Sequence, residues 1–217
     1  MERAMIHHHP DPEVLADYAA GQLHRGAMLV IACHLENCAL CAREVSVWEC
    51  AGGALLDDAP PAEMSKDALA RMMTRLDTAS GPRPRATPAF LSRFDVPRAL
   101  AAEKIGRRRF VTPSIWFAPV GRNDGEARTY LVHAGPGAIL SEHQHRGREF
   151  THVMAGAFSD VSGTFRAGDF ALTDEALVHA PTVTEDGACL CLISTDAPMH
   201  LISLPARILQ AVTGRHY

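Results

Sequence analysis

The chain has 217 residues, 47% of them hydrophobic and 21% charged, with a formal net charge of −4. That length fits one large or two small domains, and the apolar content suffices for two modest cores. No run of about 18 apolar residues occurs, which excludes a membrane-spanning helix, and the first ten residues lack the apolar core of a signal peptide, so the expected location is the cytoplasm.

The charge is unevenly spread. Through Asp77 there are twelve acidic residues against six basic ones, a local net charge of −6 within the total of −4. Such a first third is unsuited to gripping nucleic acid and suited to covering a basic protein surface. Six cysteines in a chain expected to stay in a reducing compartment point to metal or redox chemistry before structural disulfides.

In chain order, Asp11-Pro12-Glu13 predicts a helix start, with Asp as N-cap, Pro in the first turn and an acid beside it. Val14, Leu15, Tyr18 and Ala19 supply its apolar stripe, and Gly21 ends it. A second helix is predicted over 26–34, broken near Asn37. A third carries Cys38 and Cys41 in its first turn and runs through Val45, Val47 and Trp48 towards Leu55.

His34-Leu-Glu-Asn-Cys38-Ala-Leu-Cys41 is the stretch that carries chemistry here. It offers two thiolates and an imidazole at H-x3-C-x2-C spacing, the donor types of a closed tetrahedral Zn²⁺ site. The fourth donor has to come from elsewhere, and His7, His8 and His9 are the candidates. His9 stands next to Pro10 and nearest the first helix, so one ion would fasten three short helices. Cys33 and His24 are spare donors by type, with Cys33 expected as a small buried residue.

After Pro60-Pro61 a fourth helix is predicted from Ser65 to Asp77. Leu69, Met72, Met73 and Leu76 recur at i, i+3, i+4 and i+7, a stripe that serves either a core or a partner's groove. Residues 78–89, with Gly and three prolines and no apolar period, read as a linker. Beyond it come short strand-like runs at 114–120, 128–133, 138–141, 150–154 and 188–193, the texture of a β-sandwich or barrel. Arg107, Arg108 and Arg109 are expected on an exposed turn, and 205–212 alone looks helical in this half.

A second constellation lies in that half. Gly137-x5-His143-x-His145-x3-Glu149-x6-Gly156 puts two imidazoles on one strand face and a carboxylate on its neighbour, and His179 follows on a later strand. Three imidazoles and a carboxylate inside a barrel suit Zn, Fe, Mn or Ni. Cys189 and Cys191 share one strand face, either as small buried residues or as a possible redox pair. His152 is expected on the sheet as a non-ligand.

The spacing of this second set resembles the first motif of the cupin family, whose fold is a small double-sheet jelly-roll barrel with its metal inside. The resemblance implies His143, His145, Glu149 and His179 as ligands. The second cupin motif is partial: Gly168 and His179 fit, but Asp174-Glu175-Ala176 replaces the usual Pro-x-Gly and the closing Asn is absent. The arrangement H-x24-H-x3-C-x2-C, with His9 as its first residue, resembles the zinc-binding anti-sigma domain. Together the two resemble the ChrR-type anti-sigma factors over nearly the whole chain.

That resemblance implies two domains, an α-helical zinc-binding anti-sigma domain at 1–77 and a cupin-like β-barrel at 90–217, with one Zn²⁺ in each. It implies an extracytoplasmic-function sigma factor as partner, held away from RNA polymerase core, and release under oxidative stress of the singlet-oxygen type sensed by the barrel. No enzymatic activity, direct nucleic-acid contact or membrane attachment is expected. The competing expectation is a cupin metalloenzyme, a dioxygenase or isomerase, carrying a zinc-stapled interaction module.

Overall fold

The computed structural model describes residues 5–78, 86–197 and 200–201. The chain opens with α1 (Pro12–Ala19), α2 (Arg25–Asn37), α3 (Ala39–Asp57) and α4 (Ala68–Thr78). After a 3-10 turn (Ala89–Leu91) and a single-turn α5 (Arg98–Ala101), every described element is β. The strands are β1 (Arg109–Phe110), β2 (Ile115–Pro119), β3 (Arg128–Ala134), β4 (His143–Gln144), β5 (Glu149–Ala155) and β6 (Ala157–Asp160). They continue as β7 (Gly163–Arg166), β8 (Phe170–Thr173), β9 (Val178–His179), β10 (Thr182–Val183), β11 (Cys189–Thr195) and β12 (His200–Leu201).

The strands make a six-stranded antiparallel sheet in the order β1-β2-β3-β11-β5-β8, and two three-stranded sheets, β10-β6-β7 and β12-β4-β9. Together they form the expected cupin-like β domain behind a helical N-terminal region. Alternation along β5 decides what each face of the large sheet touches. Glu149, Thr151 and Val153 face the barrel interior, while Phe150 and His152 face outward, towards the helices.

The helical region does not stand apart from the barrel. Val30 and Ile31 of α2 belong to the same buried cluster as Leu131, Phe150, Phe170 and Leu192 of the sheet. Gly26 makes this approach possible, because a Cβ there would run into the hydroxyls of Ser194 and Thr129, which hydrogen-bond each other at 2.9 Å. Glu36 at the far end of α2 accepts the backbone N–H groups of Arg98 and Ala99, both at 2.8 Å, which caps α5.

Several expected boundaries shift. α2 runs on to Asn37, and α3 begins only after Cys38, whose extended backbone (φ −112°, ψ 97°) bends the two helices by 120°. Cys38 is therefore the N-cap of α3 rather than part of its first turn. Only Cys41 and Val45 of α3 are buried, where the helix meets α1 and α2; Val47, Trp48 and Leu55 are exposed. The run 138–141 is not a strand but a segment with one isolated bridge, Ile139 to Thr182. Arg109 opens β1 instead of lying on a turn. The predicted helix at 205–212 and linker residues 79–85 lie outside the described residues. No single described helix is long and apolar enough to cross a membrane.

Candidate metal centres

The first centre is assembled by three backbone segments. Pro12 starts α1 and leaves His9 on the extended strap before it; α2 delivers His34 in its last turn; the break at Cys38 turns the chain so that Cys38 and Cys41 face back. Cys38 Sγ and Cys41 Sγ each lie 3.4 Å from His9 Nδ1, and His34 Nε2 lies 3.4 Å from Cys41 Sγ. A tetrahedral Zn²⁺ with nitrogen at about 2.0 Å and sulfur at about 2.3 Å gives edges of roughly 3.3–3.8 Å, so the donor atoms fit one ion. All four fall within 4.8 Å of one another.

The protonation pattern agrees. His34 Nδ1 is 3.0 Å from the carbonyl oxygen of Gly168 and donates to it, which leaves the Nε2 lone pair directed at the thiols. Burial pushes the His34 imidazole down to about 4, keeping it neutral, and pushes the Cys41 thiol up to about 12, with Cys38 adding to the shift. A buried thiol held that high is unreactive without a cation; a bound divalent ion inverts the balance and takes it as the thiolate. His7 and His8 lie outside the cluster. His24 caps α2 by accepting the N–H of Ala27, and Cys33 is fully buried, its thiol pushed to about 12 by burial.

The second centre sits inside the barrel. β4 and β9 pair with His143 opposite His179, and His145 follows β4 on the same face. His179 Nε2 is 3.1 Å from both His143 Nε2 and His145 Nε2, near the roughly 3.0–3.4 Å edge expected around a small divalent ion. Two of these rings have their tautomer set from behind: His143 Nδ1 donates to Ser141 O and His179 Nδ1 to the buried Asp160 carboxylate, each at 2.8 Å. The carboxylate–histidine pair is the arrangement that orients a metal-binding imidazole and raises its basicity. Burial lowers His143, and lowers His145 to about 4.

Glu149 stands beside this trio rather than within it. One carboxylate oxygen accepts from Thr151 Oγ1; the other is 3.6 Å from His145 Nδ1 and, like that nitrogen, has no hydrogen-bond partner among the described residues. Burial raises its pKa while the neighbouring imidazoles pull it down. A buried carboxylate oxygen left without a partner next to three imidazoles is suited to a cation.

Cys189 and Cys191 line a cavity of about 70 Å³ against this centre, along with Tyr130, Phe158, His143 and His179. Their sulfurs are 3.6 Å apart and buried, and the contact with Cys189 followed by burial drives the Cys191 thiol far up. His152 points away from the barrel interior and stacks edge-on against His34, ring centres 5.8 Å apart. Leu69, Met72, Met73 and Leu76 gather along α4, which buries no residue. Two contributors escaped the linear reading, Asp160 and the Gly168 carbonyl. An Asp on a strand and a Gly in a turn carry no spacing signal towards a histidine far away in sequence.

These features define a class, a cupin-like barrel joined to a helical region whose His2Cys2 group could hold one metal ion. Residues 107–198 match the ChrR cupin-like domain family. The chain is 35% identical over 215 residues to the anti-sigma-E factor ChrR of Cereibacter sphaeroides, covering 94% of this chain and 97% of that protein. It is also similar to the ChrR chain in the crystal structure of Rhodobacter sphaeroides SigE in complex with the anti-sigma ChrR. That match has a TM-score of 0.70 and 33% identity, over 88% of this chain and 100% of the other. The chain belongs to the ChrR family of anti-sigma factors, whose curated relative is a regulator and not an enzyme.

Proposed function

We propose that this protein is a cytoplasmic anti-sigma factor that sequesters an extracytoplasmic-function sigma factor. Residues 1–77 grip the partner, 78–89 link, and the barrel from residue 90 onward governs release. The observation that carries this is the pairing of a complete His2Cys2 donor set with an unpartnered apolar helix. Leu69, Met72, Met73 and Leu76 are 72%, 59%, 51% and 60% exposed. Four adjacent large apolar side chains left to water on one helix face are suited to a partner's groove. The relative of known structure, crystallised with SigE, makes a sigma factor the natural occupant.

The ion in the N-terminal centre holds α1, α2 and α3 in one geometry, so the partner meets a preorganised surface and binding loses less entropy. In the barrel, His143, His145 and His179 hold a second Zn²⁺, with Glu149 rotating in as fourth ligand. Zinc has no redox chemistry of its own, so an oxidant acts on the protein. The oxidisable groups at that centre are the imidazoles and the Cys189–Cys191 pair. Oxidation there loosens the barrel and frees the sigma factor, the response expected under singlet-oxygen stress.

The test is co-purification of the full chain with its sigma factor, alongside a sigma-dependent reporter with and without singlet oxygen. His143→Ala should keep the sigma factor bound at rest and lose the response to oxidant. Loss of resting binding in that variant would reject the division of labour. Failure of the wild-type chain to retain any such sigma factor would reject the function.

A further inference from the structure

The N-terminal centre takes three of its four donors, His34, Cys38 and Cys41, from α2, α3 and the break between them. Its two imidazoles, His9 and His34, have a further support. His9 ends an extended strap with no secondary structure of its own, and the strap is tied to the barrel turn at 166–170. Asp169 Oδ1 accepts the backbone N–H groups of His7 at 2.8 Å and His8 at 3.1 Å, and Phe170 N–H donates to His8 O at 3.0 Å. Asp169 Oδ2 accepts Arg166 N–H at 2.8 Å and closes the turn itself. The carboxylate is 1% exposed, so none of these bonds competes with bulk water.

The same turn presents Gly168 O to His34 Nδ1. Gly168 has φ +98°, and a Cβ there would press on Ile6 at 2.9 Å, so the strap lies flat on the turn only because the residue is glycine. Both imidazole ligands are thus oriented by five consecutive residues of the barrel, more than 130 positions away in sequence. Loss of such supporting bonds typically costs about 10- to 100-fold in metal affinity.

We propose that this barrel turn is part of the N-terminal metal centre, with Asp169 as its positioning residue, so that the barrel sets how tightly the helical region holds its ion. The inference rests on the metal-binding reading of His9, His34, Cys38 and Cys41. It adds a direct physical link by which loosening the barrel loosens the staple, because the strap and the His34 ring cannot stay oriented when the turn moves.

Co²⁺ titration of the full chain separates the two centres. Only the N-terminal one has sulfur in its donor set, and only it yields a sulfur-to-cobalt charge-transfer band. Asp169→Ala, which removes three accepted bonds, should weaken binding under that band by about 10- to 100-fold. Asp169→Asn keeps one accepting oxygen and should fall between. Cobalt affinity in the three-imidazole centre should stay within a few-fold of wild type in both.

Equal band affinity in wild type and Asp169→Ala would overturn the positioning role, and so would parallel losses at both centres. Absence of the band in wild type would reject the underlying metal reading instead. Should Asp169→Ala fail to fold, amide exchange decides. Cys41→Ser, with the barrel centre intact, should speed exchange at Phe170 and His8 while the Leu192 amide in β11 stays protected. Unchanged protection at Phe170 would overturn the link.

Discussion

The two centres differ in what holds them before any ion arrives. In the barrel, His143 and His179 sit opposite each other across the β4–β9 ladder, and their outer nitrogens are already committed to Ser141 O and Asp160. The N-terminal donors come from a strap, a helix end and a helix break, which meet through the shared apolar cluster and the barrel turn. A sheet with its own hydrogen bonds can lose its metal and keep its shape. Three short helices around four donors have less of their own to hold them, so an ion bound there would add its binding free energy to folding.

The comparison breaks first if the staple proves dispensable. Cys38→Ser or His9→Ala in the full chain should abolish binding at the N-terminal centre, lower far-UV helix signal and remove sigma-factor binding. His7→Ala and His8→Ala should retain the ion, since neither ring is in the cluster. Zinc content by elemental analysis and circular dichroism decide it; full zinc in His9→Ala would reject that ligand.

A smaller effect is expected at the barrel. Asp160→Asn leaves His179 in place but weakens the acceptor behind it, so barrel-metal affinity should fall by about 10- to 100-fold with sigma binding unchanged. Chelator competition on the wild-type and variant chains measures it, and an unchanged affinity would mean that Asp160 does not orient His179.

Sharper still is the partner helix. Met72→Asp with Met73→Asp should weaken the sigma complex at least tenfold, about 1.4 kcal/mol. Thermal stability and zinc content should not move, because α4 buries nothing in the free chain. A drop in melting temperature would return the helix to the protein's own core.

The mildest effect is acid sensitivity of the seam between the regions. His152 is buried and its pKa is pushed down to about 4, mainly by desolvation with the His34 ring adding. The unfolded chain, with imidazole near about 6.5, takes the proton first, so this contribution to stability is present above that pH and is lost as pH falls towards 4. Between pH 7 and 5.5 the loss should be about 1 kcal/mol. His152→Phe should flatten that part of the stability profile; an identical slope would mean the ring is not held neutral in the seam.

Much of the architecture was legible residue by residue. Pro12 and Gly21 bracket α1, the strands at 114–120, 128–133, 150–154 and 188–193 reappear within a residue or two, and α4's stripe follows its period. The misses have physical causes. Cys38 is expected inside a helical turn because C-x2-C favours one face, but its extended backbone turns the chain there, and both thiols meet His9 across that bend. The run 138–141 has strand-like residues, yet its neighbours offer only one bridge, at Ile139.

What the sequence determined by itself is what short spacing can encode. H-x3-C-x2-C places three soft donors a helix turn apart, H-x-H places two imidazoles on one strand face, and a Leu/Met stripe at helical period makes an apolar edge. Only the tertiary structure decided that α2 lies on the barrel sheet across Gly26, and that Glu149 stands beside the imidazole trio. It also brought Asp160 to His179, the Gly168 carbonyl to His34 and Asp169 to the strap before His9. Those relations link residues from about 20 to more than 160 positions apart through single hydrogen bonds and one missing Cβ. No local periodicity records them, because they exist only once the chain has closed on itself.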